Sequence, residues 1–108
     1  MLSHVEIQQE QNALIACLQG EIDHHTVQEM RKRIDAEVLC SEEKKLILDF
    51  GGVTFMDSSG VGLVLGRSKL MESLGGTLAV RHTPVQMEPI LKLAGVSHIE
   101  SREGEYAR

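Results

Sequence analysis

Two short clusters hold the side chains best suited to chemistry. Asp57-Ser58-Ser59-Gly60 stands between an apolar, strand-like run and the helical run that begins at Val61, and Asp23-His24-His25 follows Gly20-Glu21-Ile22. Asp and Ser cap helix starts because their side-chain oxygens accept orphan backbone N–H groups. Two hydroxyls therefore stand where free donors and the positive end of a helix dipole are expected. Such a place suits an anion, including a phosphate carried by the serine itself. The plainer alternative is that Asp23, Asp57 and the serines are only turn residues and caps, and pattern alone leaves the two readings level. Nor does residue chemistry separate the adjacent hydroxyls of Ser58 and Ser59. His24 and His25 are neighbours whose side chains are expected to diverge, which would deny them a shared metal site. His4, His82 and His98 lack ligand spacing and read as structural or exposed.

Enzyme readings fare poorly. A nucleophile elbow needs Gly two before and two after the serine, whereas Met56 and Asp57 stand at the upstream positions for Ser58 and Ser59. There is no phosphate-binding Gly-Lys loop. A receiver domain would want an acidic pair after its first strand and a phosphorylatable Asp past its third; Asp49 lies within the central strand and the acidic pair is missing.

The elements that position the clusters follow from periodicity. A weak alternation over Leu2, His4 or Val5, and Ile7 stops at the polar turn Gln8 to Asn12, and Ala13 to Leu18 is an apolar run of strand length. So short a link favours an antiparallel hairpin, after which Gly20-Glu21-Ile22-Asp23 leaves the sheet. Thr26 with Glu29 reads as a capping box, followed by Val27, Met30, Ile34 and Val38 at helical spacing. Leu46 to Phe50 is the central strand, with a turn at Gly51-Gly52. Strand, helix and strand in that order imply a parallel pair with a right-handed crossover. A second helix is expected from Ser58 or Ser59 to about Leu74, ended by Gly75-Gly76. Within it Gly60, Gly62 and Gly66 each cost about 1 kcal/mol of helix propensity, consistent with close packing on a sheet or approach by another backbone. Thr77 to Val80 is the next strand. Thr83-Pro84-Val85-Gln86 starts a third helix that carries Met87, Ile90, Leu91 and Ala94 and closes at Gly95. Val96 to Glu100 adds a last short strand, and Ser101 to Arg108 is expected to fray. The outcome is an α/β domain: an N-terminal β-hairpin, then parallel βαβ units, in one mixed four- to five-stranded sheet covered mainly on one face. The loops after the second and central strands then share the carboxyl edge, where ligands usually bind, and bring Asp23 and Asp57 together.

The totals narrow the partners. A chain of 108 residues is one domain, residues 1–108. One Tyr, two Phe and no Trp leave an aliphatic core and no stacking platform for single-stranded nucleic acid. A net charge of −5 has the wrong sign for nucleic acid or an anionic membrane and is compatible with a basic protein partner. Cys17 and Cys40 lie far apart without a metal or redox motif and read as reduced cytosolic thiols. The first residues carry no signal-peptide pattern, and no stretch approaches the roughly 20 apolar residues of a membrane helix. A cytoplasmic location is expected.

The stretch Phe55-Met56-Asp57-Ser58-Ser59-Gly60-Val61-Gly62, preceded by Leu48-Asp49-Phe50, resembles the phosphorylation-site motif of the STAS family, the anti-sigma factor antagonists and their relatives. Gly20-Glu21-Ile22-Asp23-His24-His25 and Gly75-Gly76-Thr77-Leu78 resemble the same family at matching spacing, so the likeness covers nearly the whole chain, and it leans toward the members that act in sporulation. The resemblance implies a STAS fold and an anti-sigma factor antagonist with no catalytic residues, cofactor or metal of its own. It implies that the unphosphorylated form binds an anti-sigma factor that is also a serine kinase and so frees a sporulation sigma factor. The kinase uses ATP to phosphorylate Ser58 (Ser59 being the alternative), and a PP2C-like, metal-dependent serine phosphatase restores the active form. The implied partner surface comprises Asp23, His24, Asp57, Ser59 and Gly60, with Asp23 docking the kinase rather than only capping a helix. Nucleotide contact is implied through the kinase, and weak direct binding stays open. The second reading is a ligand-sensing or regulatory STAS module of general stress response or transporter control. Related chains often continue into a further C-terminal helix, for which Glu103 to Arg108 gives barely one turn.

Overall fold

In the computed structural model, residues 3–96 and 98–101 are described. The order is β1 (His4–Glu10), β2 (Ala13–Ile22), α1 (Thr26–Cys40), β3 (Lys45–Met56), α2 (Ser59–Ser73), β4 (Thr77–Thr83), a 3-10 turn (Val85–Met87), α3 (Glu88–Leu93) and β5 (His98–Ser101). The strands form one five-stranded sheet in sequence order. β1 and β2 are antiparallel, and every later pair is parallel. This is the expected hairpin followed by βαβ units, with β5 completing a further crossover.

Strand alternation decides which face is covered. Leu14, Ala16 and Leu18 of β2, Leu46, Leu48 and Phe50 of β3, and Leu78 and Val80 of β4 are buried and in register. Against them pack Met30, Ile34 and Val38 of α1, Leu63, Val64 and Met71 of α2, and Leu91 of α3. Met30, Ile34 and Val38 recur every four positions, and Leu63 and Val64 lie two turns before Met71, as one helical face requires. The opposite sheet face carries the cross-strand rows Ile15–Ile47–Ala79 and Cys17–Asp49–Arg81.

Several boundaries differ from the sequence reading, each for a local reason. β1 runs on through Gln8, Gln9 and Glu10, because Gln11 and Asn12 alone make the turn, with φ of +36° and +69°. Gly20, Glu21 and Ile22 do not leave the sheet: the β2–β3 register shifts twice, between Cys17 and Gln19 and between Gly20 and Glu21, and pairing continues to Ile22. Gly51-Gly52 is consequently not a turn but the interior of β3. A Cβ on Gly52 would stand 3.1 Å from the Leu18 carbonyl oxygen, so the shifted strand leaves little room for a larger residue there. Thr83 does not cap a helix; it is the buried end of β4 and donates its hydroxyl to the Glu100 carbonyl at 3.3 Å. The third helix is split, with Pro84 extended before the 3-10 turn and Pro89 in the first turn of α3, where a missing N–H costs nothing. Ser101, where fraying was expected to begin, is the last residue of β5; Leu2 and the rest of that tail, from residue 102 onward, lie outside the described residues.

Asp49 anchors the uncovered face. Its carboxylate accepts from the Gly51 N–H at 2.8 Å, meets Arg81 Nε at 3.2 Å and lies 2.9 Å from His82 Nδ1. Burial alone would raise its pKa; the Gly51 N–H, His82 and Arg81 together outweigh that and hold it below the ordinary carboxylate value. A carboxyl whose folded pKa is depressed contributes stability above its unfolded pKa of about 3.9 and loses it as pH falls through the folded value. Wild type is therefore expected to be more stable than Asp49→Asn at neutral pH, with the gap closing as pH drops below about 4. Urea midpoints of the two proteins across pH check this; a gap independent of pH would contradict it.

Candidate functional site

The site is built by the matched ends of two parallel strands. Ile22 of β2 lies opposite Met56 of β3, and the Asp57 N–H donates to the Ile22 carbonyl at 3.1 Å. Asp23 and Asp57 thus begin neighbouring loops on one sheet edge, as the topology predicted.

Each aspartate organises its own loop. Asp23 Oδ1 accepts from the N–H groups of His25 and Thr26, both at 2.9 Å. The Thr26 hydroxyl donates to the Glu21 carbonyl at 2.8 Å, and Thr26 is already the first residue of α1. The cap of this helix is therefore Asp23, and the capping box expected at Thr26 and Glu29 is not formed. The sequence pattern fits either arrangement; the aspartate wins because the loop turns back on it three residues before the helix. The N–H of Thr26 and then that of His25 hold the Asp23 carboxyl below its ordinary pKa. Asp23→Ala is expected to lower the thermal midpoint, whereas Asp23→Asn, which keeps an accepting oxygen, should stay near wild type. Equal losses in the two variants, read by differential scanning calorimetry, would show that the charge rather than the cap stabilises the loop.

At the second loop, Asp57 Oδ1 accepts the Ser59 N–H at 2.8 Å, and Ser58, at the N-cap, makes no side-chain capping bond. The Gly60 N–H reaches the Asp57 carbonyl at 3.1 Å, and the N–H groups of Val61 and Gly62 reach the Ser58 carbonyl at 3.1 and 3.3 Å. The free first-turn donors expected around the serines are thus already used by the loop itself. Ser58 stands exposed with its hydroxyl uninvolved in capping; Ser59 is half-buried. Gly60 is buried, and a Cβ there would overlap Sδ of Met56, so this glycine does serve close packing. Gly62 and Gly66, by contrast, have nothing within 4 Å of where a Cβ would stand. They are not contact points within the domain.

His24 and His25 are exposed, but their rings do not diverge: the centroids are 4.0 Å apart and the planes tilted by 38°. Phe55, the residue before Met56, is 55% exposed beside the loop. Among the described residues no group of three or more His, Cys, Asp and Glu side chains could hold a metal ion, and no helix is long and apolar enough to cross a membrane.

One feature escaped the sequence reading. Arg67 of α2 is buried against Asp35 of α1, Nε lying 2.8 Å from Oδ1. Despite that distance the N–H is not aimed along a hydrogen bond, and neither buried atom has another partner. Desolvation pulls the Arg67 pKa down, Asp35 opposes this, and the positive charge of Arg31 adds to the lowering. Arg67 stands four residues after Leu63 and four before Met71, on the apolar stripe of α2, and that placement was the available signal.

Comparison with known proteins agrees with this geometry. The STAS domain profile matches residues 4–105. An anti-sigma F factor antagonist of Paenibacillus polymyxa is 34% identical over 95 residues, covering 88% of this chain and 81% of that protein. Among solved structures, the anti-sigma factor antagonist SpoIIAA in its unphosphorylated form matches with a TM-score of 0.75 and 27% identity, over 91% of this chain and 88% of that one. The Bacillus cell fate determinant SpoIIAA in its phosphorylated form matches with a TM-score of 0.74 and 28% identity, over 94% of each chain.

Proposed function

The chain belongs to the STAS domain family, and from that premise we propose that it is an anti-sigma factor antagonist switched by phosphorylation of Ser58. The unphosphorylated form binds an anti-sigma factor that is also a serine kinase and frees a sporulation sigma factor in the cytoplasm. The kinase then transfers a phosphoryl group from ATP to Ser58, and a PP2C-like phosphatase removes it. The protein is the substrate and binding module in this cycle, not the enzyme. The observation that carries the reading is the state of Ser58: an exposed hydroxyl, outside any cap, at the start of α2 and beside the Asp23 loop. A solved relative in both unphosphorylated and phosphorylated forms supports the same switch. Asp23, His24, Asp57 and Ser59 are the docking surface around Ser58, with the exposed ring of Phe55 alongside as an apolar anchor; Gly60, also expected there, is buried against Met56 and supports the loop from beneath.

Intact mass after incubation with the cognate anti-sigma kinase and ATP tests the proposal in wild type, Ser58→Ala and Ser59→Ala. One phosphate is expected on wild type and Ser59→Ala, and none on Ser58→Ala. Loss in Ser59→Ala alone would keep the function and move the acceptor by one residue. An unmodified wild type would turn the reading to a ligand-sensing module.

A further inference from the structure

A groove of about 220 Å³ runs between α1 and α2 and opens beside the phosphorylation loop. Its walls include Gln28 and Arg31 from α1, and Ser59, Gly62 and Arg67 from α2. We propose that this groove is a binding site for a phosphate-sized dianion, held by Arg31 and Arg67 and reached past the open position at Gly62.

Four observations carry it. The Arg67 side chain is only 9% exposed and lines the groove; its Nε is sealed from solvent 2.8 Å from Asp35 Oδ1, which leaves the terminal NH2 groups as the donors for an anion. Asp35 neutralises part of its charge but occupies one edge of a guanidinium that has five N–H donors. Arg31 and Arg67 line the same groove, and Arg31 helps lower the Arg67 pKa; a dianion between the two like charges would relieve their repulsion. Gly62 leaves open space where any other residue would place a side chain. Because the first-turn N–H groups of α2 are already used, an oxyanion here depends on side-chain donors, and Arg and Gln are the side chains that supply them. A water molecule's share of liquid volume is about 30 Å³, so the groove has room for a phosphate. The site lies one residue from Ser58 without including it. It can therefore take free phosphate or the phosphoryl group of Ser58 itself. The first source is independent of the proposed function; the second rests on it.

The test uses the full-length ¹⁵N-labelled chain titrated with inorganic phosphate at constant ionic strength, with chloride as the control anion. Saturable amide shifts are expected at Gln28, Arg31, Ser59 and Gly62, and Arg31→Ala should weaken binding about tenfold or more. Arg31 is exposed, so its removal leaves the fold intact; Arg67→Lys serves as the second variant and should also weaken binding. A chain carrying phosphoserine at position 58 separates the sources. If its own phosphoryl fills the groove, inorganic phosphate no longer shifts these amides, and the ³¹P signal moves in Arg31→Ala. If the groove still titrates, the ligand is free phosphate; both results support the site. Shifts that rise without saturation, that chloride reproduces, or that Arg31→Ala leaves unchanged would overturn it. None of these measurements uses the kinase, so failure here leaves the Ser58 switch standing, and failure of phosphoryl transfer leaves the groove standing.

Discussion

Phosphorylated at Ser58, the protein is expected to bind its anti-sigma factor at least about 100-fold more weakly while keeping the circular-dichroism spectrum of the unmodified chain. The modification adds about −1.5 to −2 charges at neutral pH. It arrives beside Asp57 and next to the loop of Asp23, and the α2 N–H groups that could have absorbed it are occupied. On an interface, like charge set against an acidic or desolvated patch costs several kcal/mol, and each 1.4 kcal/mol is tenfold in affinity. The fold has no reason to respond, because Ser58 is exposed and lies outside the buried core. Calorimetric titration of both forms against the anti-sigma factor, with spectra of each, checks the claim. Equal affinities would remove the switch, and a collapsed spectrum would mean that it works by unfolding.

Arg67→Ala is expected to destabilise the fold by about 3 kcal/mol, at the lower end of the range for breaking a buried ion pair. The variant strands Asp35, loses the packing of the arginine stem between α1 and α2, and leaves a space on the stripe between Leu63 and Met71. Because Asp35 is 30% exposed, water partly hydrates the orphaned carboxylate, which keeps the loss from being larger. For a domain of this size the thermal midpoint should fall by roughly 15 °C. The double variant Arg67→Met with Asp35→Leu should regain most of the loss, since apolar residues of similar volume often replace a buried pair without penalty. A single variant as stable as wild type in urea denaturation would show that the pair contributes nothing.

The parts of the molecule that sequence pattern made legible are those governed by nearby residues. Leu46, Leu48 and Phe50 alternate, Met30, Ile34 and Val38 follow a helical period, and Asp57-Ser58 precedes a helix, so β3, α1 and the start of α2 could be placed from their own neighbourhoods. What pattern missed depends on partners distant in the chain. Gly51-Gly52 looks like a turn until the register shift between Cys17 and Gln19, far back in the chain, makes it strand. Thr26 looks like a cap until the folded loop brings Asp23 Oδ1 to the Thr26 N–H and makes Thr26 the first residue of the helix. Arg67 falls on the apolar stripe of α2, but the Asp35 that meets it there lies on α1, more than thirty residues earlier in the chain. Gly62 and Gly66, which resembled packing glycines, turn away from the sheet because the buried face of α2 is set by Leu63, Arg67 and Met71.

The two aspartate-stapled loops also bear on the entropy of association. Ordering a backbone costs roughly 1–2 kcal/mol per residue, and a binding loop that is loose in the free protein must lose that freedom on contact. Here Asp23 and Asp57 hold their loops through backbone N–H groups before any partner arrives, and the bond from Asp57 to Ile22 joins the two. The surface around Ser58 is thus pre-organised: encounter approximates the docking of a rigid edge, with little of the contact energy lost to ordering. Under the proposed switch, the same rigidity keeps these loops from rearranging to hide an added phosphoryl group from a partner, so a small covalent change would suffice to decide between bound and free.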